Sequence, residues 1–137
     1  MLEKYLWVAG AVPFIVLGTI HLLYTFFTNR FSSRTIALDE QMKNAHPVLT
    51  KETTMWKAWI GFNGSHSLGA IYFGVINLFF PLYDFGIVQS PFFLLLNISS
   101  VSFYVWLAKR YWFSTPFKGI MVSAGCFIAA ALLILFR

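Results

Sequence analysis

From Trp56 to Phe80 the chain runs for about 25 residues with no charge except Lys57 near its start, long enough to cross a bilayer as a helix. Within that run sit Asn63, Gly64, Ser65, His66 and Ser67. Polar groups at membrane depth cost free energy unless neighbouring helices satisfy them or they line a cavity. The segment therefore marks a place where the protein packs closely or binds something. It does not dictate a reaction.

The rest of the chain agrees with a membrane setting. Hydrophobic residues make up 58% and charged residues 11%, far below the charged share of roughly a quarter in soluble domains. Four windows exceed the length needed to span: Tyr5 to Phe27, Trp56 to Phe80, Ile87 to Ala108 and Phe117 to Phe136. The expectation is an all-α integral membrane four-helix bundle, one transmembrane domain over residues 1–137. Its short later loops make successive spans antiparallel neighbours. Gln89, Ser90 and Pro91 interrupt the third window, and proline suits a first helical turn, so that helix is expected to start nearer Pro91. Pro13 lies inside the first span and predicts a bend. That span is too long for the apolar region of a signal peptide and precedes no small-residue cleavage site, so it reads as a retained helix.

Orientation follows from the basic residues. Arg30, Arg34, Lys43, Lys51, Lys57, Lys109, Arg110 and Lys118 fall on the side of the first and third loops, against Lys4 and Arg137 on the other. Positive loops stay cytoplasmic, which puts both termini outside and the loop 28–55 inside. The net charge of +5 thus belongs to the inner face, which suits the bilayer's anionic lipid headgroups; nucleic acid is not an expected partner. Trp7, Trp56, Trp59, Trp106 and Trp112 fall near span ends, where indoles prefer the headgroup level. Cys126 is the only cysteine, which rules out an intramolecular disulfide or a multi-cysteine metal site. Glycosylation patterns at Asn63 and Asn97 lie inside spans and are discarded.

The first loop carries Leu38, Met42 and Ala45 at helical spacing before Pro47, consistent with a short surface helix that Ser33 or Thr35 could cap. A solvated connector is the competing reading. Thr50 with Glu52 supplies a start signal for the second span. His46 reads as solvent-exposed.

At about 1.5 Å per residue, His21 and Asn63 lie roughly 9 to 11 Å from the inner ends of their spans, and His66 and Asn97 roughly 15 to 17 Å. The outer half has little that is polar besides Asn77 and Tyr72, and reads as an apolar plug. On the second span Asn63, His66, Ser67, Ala70, Gly74 and Asn77 follow spacings of three and four and share one face. Gly61, Ser65 and Gly69 form a neighbouring small-residue stripe suited to close packing, as do Gly119, Ser123, Gly125 and Ala129 on the fourth span.

The candidate ligand-binding residues are His21, Asn63, His66, Ser67 and Asn97, an inner-half pocket in which a lipid or quinone-like molecule could bond by its head. The plainest competing account is that these groups only bond between helices. Haem b held by His21 and His66, as in an electron carrier, is another, although no cofactor is expected on the leading reading. A small enzyme acting on an apolar substrate by histidine acid–base chemistry is a third, but no nucleophile or carboxylate pair accompanies the histidines, so no catalytic or metal residue is assigned. A channel is disfavoured because no charge lies in mid-membrane. The leading reading is a non-enzymatic accessory or subunit protein, alone or within a larger membrane complex or homo-oligomer.

The run Gly18-Thr19-Ile20-His21, the pair Met42-Lys43 and the segment from Met55 through Trp59, Gly61, Asn63 and His66 to Gly69 resemble an uncharacterised family of small four-span bacterial inner-membrane proteins. The resemblance covers roughly the first 80 residues and implies four helices in a bacterial inner membrane. It implies no activity, cofactor or catalytic residue.

Overall fold

Four of the helices are long and apolar enough to cross a membrane, and they account for most of the chain. The computed structural model describes residues 1–136, and among these all regular structure is helical: α1 (Leu2–Phe27), α2 (Ile36–Asn44), α3 (Met55–Tyr83), α4 (Phe85–Gln89), α5 (Pro91–Tyr111) and α6 (Ser114–Leu135). Arg137, counted above among the outer basic residues, lies outside the described residues. The shortest spanning helix, α5, has 21 residues, roughly 31 Å at 1.5 Å per residue, enough for a hydrocarbon core of about 30 Å.

Boundaries move where capping chemistry decides them. The third span begins at Pro91 rather than Ile87, because Ser90 caps the helix by accepting from the Phe93 amide at 3.3 Å and proline occupies the first turn. The residues before it form the separate five-residue α4, capped by Asp84 accepting from the Gly86 amide at 2.8 Å. The second span starts at Met55: Thr54 Oγ1 accepts from the Lys57 amide at 3.3 Å, whereas Thr50 Oγ1 serves only a local turn with the Glu52 amide. The surface helix in the first loop is present as α2 with no buried residue; Thr35 holds its cap position without a side-chain bond.

The chain divides into two compact units. One comprises Met1–Leu17 and the residues from Ala70 onward. Its core joins four helices through rings: Phe14 lies 4.6 Å from Phe73 and 5.0 Å from Tyr104, and Trp7 lies 5.1 Å from Phe127. Leu94, Asn97, Val101 and Ala108 on α5, and Ile120, Ser123, Ala124, Phe127, Ala130 and Ala131 on α6, are buried. Both sets recur at spacings of three, four and seven, the period that aims one helical stripe inward. α5 and α6, linked only by Trp112 and Phe113, pack side by side as antiparallel neighbours. Gly74 permits a close approach of the α1 backbone to α3. A Cβ there would lie 2.6 Å from Ile15 Cγ1 and 3.0 Å from both the Ala11 carbonyl oxygen and the Ile15 nitrogen.

The other unit is Gly18–Gly69, comprising the end of α1, α2 with its flanking loops, and the start of α3. Its loops are tied down by three bonds. Met55 donates its amide to the Ala45 carbonyl at 2.8 Å, His46 donates from Nδ1 to the Thr53 carbonyl at 2.7 Å, and Trp59 donates from Nε1 to the Phe31 carbonyl at 3.1 Å.

Candidate functional site

His21 lies in the last two turns of α1 and Asn63 in the third turn of α3. Asn63 donates from Nδ2 to the Trp59 carbonyl one turn back at 2.9 Å, which commits the donor end of its amide and presents Oδ1 to the neighbouring helix. His21 Nε2 donates to that oxygen at 3.0 Å. Since Oδ1 can only accept, this geometry assigns the His21 proton to Nε2 and leaves Nδ1 as the ring's acceptor. The partner of His21 is an amide, not the carboxylate that usually orients a catalytic histidine.

His66 packs its ring edge-on against His21, with centroids 5.4 Å apart and planes at 74°; it is half-buried. The two imidazoles are in van der Waals contact, so a group inserted between them would have to part them. Ser67 is fully buried and donates to the Asn63 carbonyl at 2.7 Å, so its hydroxyl is satisfied within its own helix. Of the residues assigned from the sequence, His21, Asn63, His66 and Ser67 thus lie in the Gly18–Gly69 unit and share one small network.

Phe31 extends this network toward the loop. Its ring stands 4.5 Å from His21 and 6.4 Å from Trp59. Phe31 and Trp59 also wall an open cleft of about 430 Å³, together with Arg30, Ser33, Asp39 and Trp56. The cleft thus joins the connector after α1, α2 and the first turns of α3. Arg30 and Asp39 entered the sequence analysis only through charge, if at all. Arg30 lies in the connector and Asp39 on the first turn of the short α2, so neither is marked by the spacing of the apolar residues.

Asn97 belongs to the other unit, in a second polar network. It donates from Nδ2 to Asn77 Oδ1, which also accepts from Trp7 Nε1 at 2.9 Å, while Asn77 Nδ2 donates to the Phe73 carbonyl at 2.9 Å. Asn97 is six residues from the Pro91 end of α5, and Asn77 six from the Tyr83 end of α3. The region expected to be an apolar plug therefore holds a buried network. Trp7, expected as a headgroup anchor, is 0% exposed because its indole N–H is taken by Asn77 and its ring by Phe127. Asn97 Oδ1 and Ser123 Oγ are buried with no hydrogen-bond partner among the described residues.

Of the α3 face read from the spacing, Asn63, Ser67, Ala70, Gly74 and Asn77 are buried and His66 is half-buried. The stripe of Gly61, Ser65 and Gly69, expected to pack closely, is exposed instead, and a Cβ on Gly61 would meet nothing within 4 Å. Small size permits close approach but does not say which of two neighbouring faces receives it. Among the described residues no group of three or more His, Cys, Asp or Glu side chains is arranged to hold a metal ion.

Comparison of the chain with known protein families, curated proteins and solved structures returns no match.

Proposed function

We propose that this chain is a non-enzymatic accessory or subunit protein of a bacterial inner membrane, with both termini outside, that binds a lipid or quinone-like molecule. The polar head is received at His21, Asn63 and His66, with Ser67 braced beneath them on the Asn63 carbonyl, and the tail lies against the apolar helices. The observation that carries this reading is the His21–Asn63 hydrogen bond, set inside apolar spans and adjoining the aromatic rings that wall an open cleft. Asn97 is left to its own network with Asn77 and Trp7. The orientation rests on the eight basic residues of the inner loops, which also give anionic lipid headgroups a surface to meet. The bacterial inner membrane rests on the family resemblance.

The accessory reading is preferred to an enzymatic one because the histidine pair offers a hydrogen-bonding surface without an activated nucleophile. His21 already spends its Nε2 proton on an amide oxygen. The half-buried His66 ring, edge-on to His21, forms the other side of that surface.

Organic extraction of the purified protein followed by mass spectrometry tests the proposal. A defined lipid or quinone should be enriched over the bulk membrane and lost in His21→Ala and His66→Ala. Unchanged ligand content and unchanged thermal stability in both variants would end it. A visible absorption spectrum separates the competing carrier, since a Soret band would replace the proposed ligand with haem b at the same two histidines.

A further inference from the structure

The cleft beside α2 contains two opposite charges that do not pair with each other. Arg30 stands three residues beyond the end of α1, its guanidinium 5.5 Å from the centre of the Tyr24 ring, and no carboxylate lies within ion-pair distance of it among the described residues. Asp39 lies in the first turn of α2, and its Oδ1 accepts from the Ser33 amide at 2.8 Å. That bond fixes the carboxylate at the cleft while leaving lone pairs on both oxygens. Each charge is held by a separate local contact.

The walls between the charges are apolar and aromatic: Phe31, Leu38, Met42, Trp56 and Trp59. Trp56 is the second residue of α3, and Arg30 follows shortly after α1, so the cleft opens at the end of two spanning helices. There a bilayer presents phosphates, glycerol and the first methylenes of its chains, and indole rings are at home. A simple anion would find Arg30 but would also face Asp39, and like charges in one site are penalised. A headgroup carrying a phosphate and an ammonium a few bonds apart satisfies both. A primary ammonium offers N–H donors to a carboxylate, which a quaternary one does not.

We propose that this cleft binds a zwitterionic phospholipid of the phosphoethanolamine class, with the phosphate on Arg30, the primary ammonium on Asp39 and the glycerol and chain roots against Trp56 and Trp59. The volume of about 430 Å³ is within the range of small-molecule sites, which begins near 300 Å³. The site shares its cleft with the ligand assigned to His21 and His66 but uses no histidine, so a histidine substitution distinguishes the two.

The test is native mass spectrometry of the full chain released from mixed micelles holding equal amounts of phosphatidylethanolamine, phosphatidylglycerol and phosphatidylcholine. The ethanolamine lipid should be retained about tenfold over each of the others. Asp39→Asn keeps an oxygen for the Ser33 amide, so the loop is preserved, and should bring the ethanolamine and glycerol lipids to parity. Arg30→Gln should weaken retention of both together, and His66→Ala should leave the preference as it was. Equal or stronger retention of phosphatidylglycerol by the unaltered protein would overturn the proposal, as would a preference that survives Asp39→Asn. Water-soluble glycerophosphoethanolamine should displace the lipid only in large molar excess; displacement at equal concentration would refute a lipid site.

Discussion

Two asparagines on α3 each bond to α1, and their surroundings differ. Asn77, in the unit that includes Met1–Leu17, takes the Trp7 indole in a setting where Trp7 is 0% and Asn77 2% exposed. Asn63, in the Gly18–Gly69 unit, takes His21, whose ring is half-buried and adjoins the Phe31 ring at the wall of an open cleft. The same amide chemistry is sealed in one unit and adjoins an opening in the other. A polar side chain in a spanning helix is therefore not by itself a sign of function. Adjacency to an opening is the better sign, and on that ground we propose the Asn63 network, which touches the cleft wall through Phe31, as the site and the Asn77 network as the brace.

On that division, substitutions in the brace should cost stability and leave ligand content alone, and substitutions at the site should remove ligand at a smaller cost in stability. Trp7→Ala should have the largest effect. It removes a fully buried indole and strips Asn77 of one donor, a loss of about 3–5 kcal/mol by the usual cost of deleting a buried aromatic, read as thermal unfolding in detergent. Gly74→Val comes next, because its side chain must displace α1 backbone at Ala11 and Ile15. Overpacking of this kind costs about 1–3 kcal/mol, whereas Gly61→Ala, with open space beyond it, should stay within about 0.5 kcal/mol. Asn63→Ala should cost about 1 kcal/mol, the scale of an interhelical bond in a membrane, and should abolish ligand retention. A loss of ligand in Trp7→Ala at temperatures where the variant remains folded would blur the comparison.

The smallest effect is expected at the surface. Glu40 holds Lys43 by a 2.7 Å hydrogen bond and raises the ammonium's pKa above its ordinary value, through that bond first and its charge second. A raised lysine pKa contributes in full below the unfolded value and is lost as pH climbs through the folded one. The contribution is therefore fully present near neutral pH, but both side chains are solvent-exposed and the pair is screened by water, so Lys43→Gln should shift the unfolding curve very little there.

Much of the fold was legible before any coordinates. Four spans follow from apolar run length, and the buried face of α3 from the three-and-four spacing of Asn63, Ser67, Ala70 and Asn77. The break at Ser90 and Pro91 was visible too, since a hydroxyl followed by proline is a start signal whatever the surrounding hydropathy. Trp7 was misread because proximity to a helix end predicts a headgroup position only when nothing in the interior can take the indole N–H. One clue was present: Trp7 and His21 are fourteen residues apart on α1, as Asn63 and Asn77 are on α3, two heptads of a helix seam. Each α3 asparagine meets one of these α1 rings. The cleft was not legible, since Arg30 and Asp39 are brought to it by a connector and a short helix whose path depends on bonds such as Trp59 to Phe31.

The central claim is that the polar cluster of the Gly18–Gly69 unit binds a ligand while the Asn77 cluster does not. Native mass spectrometry of protein freshly released from its own membrane, comparing Asn63→Ala with Asn77→Ala, addresses it directly. Apart from any phosphatidylethanolamine held at Arg30 and Asp39, the account predicts a second small-molecule adduct of constant mass on the unaltered protein that survives Asn77→Ala and disappears in Asn63→Ala. Persistence of that second adduct in Asn63→Ala, or its absence from all three proteins, would contradict it.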